Sequence, residues 1–123
     1  VPGATITYKI FASNSGGGTA TGITIYDLIQ TNLVSPVLTS LKTNSRVTAF
    51  NATYASTAGA IASDTGANDQ AAFGPVGAGY TALRYVVEFT PNATSANFAQ
   101  NDGTGTIGAN GGQFAGWFRV RIR

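Results

Sequence analysis

Phe114-Ala115-Gly116-Trp117-Phe118-Arg119-Val120-Arg121-Ile122-Arg123 closes the chain and sets its fold class. Phe118, Val120 and Ile122 fall on one side of an extended backbone, and Trp117, Arg119, Arg121 and Arg123 on the other, the period of two that marks a β-strand with unlike faces. The same alternation opens the chain. Over Ala4–Ala12, the side chains of Ile6, Tyr8, Ile10 and Ala12 share one face opposite Thr5, Thr7, Lys9 and Phe11. Gly22–Leu28 repeats it, with Ile23 and Ile25 opposite Thr24 and Tyr26. Tyr80–Thr90 sets Leu83, Tyr85, Val87 and Phe89 against Arg84, Val86 and Glu88, and Pro91 ends the run because its nitrogen has no hydrogen to donate to a ladder. Val37–Leu41 and Arg46–Tyr54 predict two further short strands, parted by Lys42-Thr43-Asn44-Ser45. No window of helical length carries a 3.6-residue amphipathic pattern. Six to eight short strands between Gly, Asn and Pro turns predict an all-β protein built as a β-sandwich.

Between the strands, Asn14-Ser15-Gly16-Gly17-Gly18 reads as a turn or hinge, since glycine tolerates positive φ and Asn tolerates the left-handed region. Ala55–Gly79 loses all periodicity, and structureless loops of that length are uncommon inside compact domains, so short irregular strands are expected within it. Asn92–Gly112 is a second loop-rich stretch around a candidate strand at Thr104–Ala109. A chain of 123 residues suits one domain, residues 1–123, which at this size buries roughly 65% of its unfolded surface.

Composition excludes several function classes. Cysteine, methionine and histidine are absent, which removes thiol chemistry, disulfides, Cys/His metal sites and every His-dependent triad. Only 10% of residues are charged, against roughly 25% in typical soluble domains. Seven basic and five acidic residues give a net charge of +2, too dilute for a nucleic-acid-binding face. No run of roughly 18 to 20 apolar residues is present to span a bilayer. Richness in Ala, Gly, Thr, Ser and Asn with little Lys or Glu points to an extracellular, cell-surface protein.

Val1-Pro2-Gly3-Ala4-Thr5-Ile6-Thr7-Tyr8-Lys9-Ile10, then Asn14-Ser15-Gly16, then Ala20-Thr21-Gly22-Ile23-Thr24-Ile25-Tyr26-Asp27, resembles the opening of the conserved-repeat domain of bacterial and archaeal surface proteins. That pattern is a Pro-Gly-x-x-hydrophobic-Thr-Tyr strand, an Asn-x-Gly turn and a strand ending in Asp-x-hydrophobic. Gly111–Ile122 resembles the family's closing strand. The likeness covers the first thirty or so residues and the last dozen. It implies an immunoglobulin-like sandwich used as a structural module in surface proteins and extracellular filaments, with no catalytic residues. The family has a further strand before Pro-Gly, for which Val1 leaves no room, and Gln30 stands where a proline is usual. A sandwich short of one strand exposes backbone groups above an apolar groove, and a strand from a neighbouring subunit can fill it.

The sequence therefore predicts a homopolymer of identical subunits joined by donor-strand complementation, with Val1–Ala12 as the donor, Ile6, Tyr8, Ile10 and Ala12 as its interface residues, and residues 14–18 as its hinge. A monomeric cell-surface adhesin or carbohydrate-binding module is the alternative. Neither needs a cofactor, and nothing in the pattern of acids suits an enzyme: Asp27, Asp64, Asp69, Glu88 and Asp102 are not spaced as a fixed carboxylate pair. Asp27, at a strand end, reads as a turn-capping acceptor. Asp64, Asp69 and Asp102 carry hard oxygen donors in loops and are weak calcium candidates, matching neither an EF-hand nor an RTX repeat. Asn51-Ala52-Thr53 and Asn92-Ala93-Thr94 fit the acceptor pattern for N-linked glycans. Arg119, Arg121 and Arg123 read as charges guarding a terminal edge strand, or as partners for Glu88 or for an acid on a neighbouring subunit.

Overall fold

The computed structural model describes residues 1–37, 39–44, 49–55, 71–75, 85–91 and 105–123. Among them every regular element is a strand: β1 (Thr5–Asn14), β2 (Ile25–Ile29), β3 (Val34–Pro36), β4 (Lys42–Asn44), β5 (Ala71–Pro75), β6 (Tyr85–Phe89) and β7 (Gly112–Ile122). They form two antiparallel sheets. The larger centres on β7, with β1 on one side and β3 and β4 on the other; the smaller runs β2-β6-β5. The all-β sandwich expected from the alternation is therefore the fold of the described residues.

Period two shows directly in the packing. From the larger sheet, Phe114, Phe118 and Val120 of β7 meet Phe73, Val87 and Phe89 of the smaller sheet in one apolar core, joined by Ile29, Leu41 and Ile107. The rings of Phe89 and Phe114 lie 6.1 Å apart and those of Phe73 and Phe118 6.2 Å apart, both edge to face. Gly116 makes this approach possible, because a Cβ there would sit 2.6 Å from the Phe89 ring.

The opposite face of β7 is covered differently. Ala115 and Trp117 are buried under Ala49, with Ala52 and Tyr54 packed alongside. Residues 49–55 cross this face as a strap of turns. Lys9 Nζ donates to the Phe50 and Ala52 carbonyls, Lys42 Nζ to the Tyr54 carbonyl, and the Phe50 N–H to Gln113 Oε1. Lys42 Nζ and the Arg119 guanidinium also lie 3.9 and 3.8 Å from the Tyr54 ring centroid, within cation–π range. The expected strand over Arg46–Tyr54 is thus corrected for its described part. Residues 49–55 follow side-chain hydrogen bonds from Lys9, Lys42 and Gln113 instead of a ladder.

The expected strand at Val37–Leu41 is also displaced. β3 pairs with β7 at Val34↔Ile122 through Pro36↔Val120, and β4 resumes at Lys42↔Trp117, so the two are one interrupted strand. In the gap, the Arg119 carbonyl accepts from Val37 N–H at 2.9 Å and Arg119 N–H donates to Ser40 Oγ at 2.8 Å. The serine hydroxyl replaces the missing backbone partner and lets the chain bulge. Lys42-Thr43-Asn44, read as a separator, is strand because β7 offers an unpaired edge there.

The irregular stretches divide similarly. β5 is a short strand inside aperiodic Ala55–Gly79. In the candidate strand Thr104–Ala109, the described residues hold only a single bridge, Ala20↔Ile107.

Candidate functional site

β1 is paired with β7 along its whole length, from Thr5↔Arg121 to Asn14↔Gly112. Its outer edge has no strand partner among the described residues. Ile122 N–H donates to the Ala4 carbonyl, which fixes the alternation of the ladder: the even-numbered residues of β1 bond to β7, and the backbone groups of Thr5, Thr7, Lys9, Phe11 and Ser13 point away from it. Long edges of this kind are templates for pairing with another chain.

Among the described residues, the inner face of β1 is the less covered side of the sandwich. Ile6, Tyr8, Ile10 and Ala12 all point toward the core side, yet Ile6, Ile10 and Ala12 are only partly buried. Tyr8 is 43% exposed, although its ring stacks on Phe118 at 5.1 Å. Phe118 itself is 2% exposed. Among the described residues the smaller sheet ends at β2, and none of its strands pairs beyond that edge. Where a further strand would lie beside β2 there is an open groove of about 330 Å³, lined by Tyr8, Phe118 and Val120 below and Asp27, Leu28 and Ile29 along the β2 edge. That volume sits at the small end of the roughly 300–1,000 Å³ typical of ligand pockets, and it suits a few side chains from an extended backbone. Leu28 and Leu33 at its rim are more than half exposed.

Asp27 is central to this groove and is a correction to its reading as a turn acceptor. It is the middle residue of β2, paired across to Val87 of β6, and lines the groove alongside apolar side chains. Alternation places it on the side of Ile23 and Ile25, a signal the sequence carried. No described residue donates a hydrogen bond to its carboxylate.

The remaining sequence candidates do not converge on the groove. The Asn14–Gly18 segment is a bonded turn: Asn14 Oδ1 accepts from Gly16 N–H, and Asn14 Nδ2 donates to the Gly18 and Ile107 carbonyls. It docks on the turn before β7, where Asn110 and Gly111 adopt positive φ and donate to the Gly16 and Asn14 carbonyls. Asn51 is exposed on the strap. Asn92, Asp64, Asp69 and Asp102 lie outside the described residues. Glu88 is buried on the far side of the smaller sheet, opposite Tyr26 and Ala72.

The arginines guard no edge, because β7 is flanked on both sides, and they do not reach Glu88. Arg119 donates to Thr7 Oγ1 and stacks on Tyr54, Arg123 donates to the Thr31 carbonyl, and Arg121 is exposed. Among the described residues no three acidic side chains come together, and no helix is long and apolar enough to cross a membrane. Comparison with protein-family models, curated proteins and solved structures finds no match to this chain.

Proposed function

We propose that this chain is a structural subunit of an extracellular, cell-surface filament or coat, a homopolymer whose members join by donor-strand complementation. An extended segment of one subunit adds to the outer edge of β2 in the next and lays its side chains over Ile6, Tyr8 and Ile10. The observation that carries this reading is the half-exposed inner face of β1 beside a β2 edge that pairs with no strand among the described residues. Such an arrangement leaves apolar surface and backbone polar groups in water, and a single added strand covers both. A surface with few charges fits the same picture, since a protein buried in an assembly needs less charge to stay in solution.

On this reading the sandwich is immunoglobulin-like and, among the described residues, one strand short in its smaller sheet. The donor expected from the sequence, Val1–Ala12, is for the most part β1 in the free chain. It acts as donor only by leaving β7 and rebuilding the same ladder on a neighbour. The β2 edge accepts a strand without breaking any pairing, so it is the acceptor assigned here. Asn51, exposed on the strap and remote from the groove, is the acceptor assigned to an N-linked glycan. Electron microscopy of material from the native source, with light scattering of the purified chain, tests the assembly. Filaments are expected; a chain that stays monomeric at high concentration and forms none overturns it.

A further inference from the structure

We infer that the first sugar of an N-linked glycan on Asn51 lies against the exposed ring pair of Phe50 and Phe11, so that the strap carries a seat for its own modification. This rests on the assignment of a glycan to Asn51 above and adds where that glycan sits.

Ala52 N–H donates to the Ala49 carbonyl and closes a β-turn whose two corner residues are Phe50 and Asn51. Corner side chains project from the tip of a turn, and consecutive Cα atoms are about 3.8 Å apart, so a pyranose joined to the Asn51 amide begins within reach of the Phe50 ring. That ring does not stand alone. Its centroid is 4.7 Å from that of Phe11 on the outer face of β1, and the two residues are 38% and 54% exposed. Adjoining aromatic rings left in water form the kind of apolar patch that marks a binding surface. A sugar suits it, because the axial hydrogens of a pyranose make one of its faces apolar. Those C–H groups carry partial positive charge and are drawn to the negative face of an aromatic ring, as cations are. The seat is also rigid. Phe50 N–H donates to Gln113 Oε1 and the Phe50 carbonyl accepts from Lys9 Nζ, so both backbone groups of this corner are pinned before any glycan arrives. Little ordering is then left to oppose the contact. Asn51 and Thr53, the two residues a glycan-transferring enzyme must read, are both exposed.

The test expresses the full chain in a eukaryotic secretory host as the Asn92→Gln variant, so that Asn51 holds the remaining sequon, and trims the glycan to a single N-acetylglucosamine. In nuclear magnetic resonance spectra the sugar ring protons are expected to move upfield when the chain folds, from the ring current of the phenylalanines. In urea unfolding the sugar should lower the unfolding equilibrium constant at least about threefold relative to Asn51→Gln, the scale of one aromatic contact. Both effects should vanish in Phe50→Ala and shrink in Phe11→Ala, with circular dichroism confirming that each variant keeps its fold. Sugar protons that do not shift on folding, or an equal gain in stability in Phe50→Ala, overturn the inference and leave the glycan assignment standing. An Asn51 left bare both in this host and in native material overturns the two together.

Discussion

β7 and β1 are neighbours in one ladder, alternate in the same way and face the same interior, yet the inner face of one is closed off from water and that of the other stays half open. Phe114, Phe118 and Val120 on the inner face of β7 are at most 2% exposed, whereas Tyr8, level with Phe118 on β1, is 43% exposed. Nothing in the residue types accounts for this, since Ile6, Tyr8 and Ile10 are as apolar as their partners. The cause is the width of the opposing sheet: among the described residues, β2, β6 and β5 cover β7, and no further strand lies beyond β2. Alternation therefore reports which face of a strand is meant to be covered. Whether the chain covers it alone depends on how many strands the second layer has.

The largest expected effect is at Phe118. Phe118→Ala opens a cavity between both sheets and should cost about 3–5 kcal/mol in denaturant unfolding. Tyr8→Ala, removing the ring stacked directly on it, should cost only about 1 kcal/mol, because much of that ring is already in water. Equal costs would break the contrast between the strands. Next is Gly116→Ala, whose added methyl meets the Phe89 ring and should cost about 1–3 kcal/mol. The corresponding change on the open side, Tyr8→Phe, should be close to neutral in the monomer. The smallest effect is at the strap. Tyr54→Leu keeps much of the apolar cover over Trp117 but loses the cation–π contacts of Lys42 and Arg119, about 0.5–1 kcal/mol, read as a small fall in the urea midpoint. A fall as large as that of Phe118→Ala would show that the strap holds the sheet together.

Much of this architecture is legible in the residues. The closing strand, the opening strand, the Asn14 turn and the end of β6 before Pro91 all follow from alternation and turn chemistry acting locally. The positions of β3 and β4 do not. Three-residue strands have no periodicity of their own, and here they are placed by the edge that β7 presents, with Ser40 bridging the gap at Arg119. The strap is equally hidden, because it is fixed by Lys9, Lys42 and Gln113 reaching across more than ten residues of sequence. For the site, Ile6, Tyr8, Ile10 and Ala12 are legible as a face that needs cover. Asp27 is legible only by extending the alternation of Ile23 and Ile25 one step further, against the habit of reading an acid near a strand end as a cap.

On the proposed function, the β2 edge and the inner face of β1 form a site that a strand from another subunit covers. Amide hydrogen exchange, measured peptide by peptide on the isolated chain and on the native assembly, tests it most directly. Ile25–Ile29 is expected to exchange readily in the isolated chain and to become strongly protected in the assembly, while Phe114–Val120, already central in its sheet, changes little. Equal exchange of Ile25–Ile29 in the two states, or protection gained only elsewhere, would contradict it.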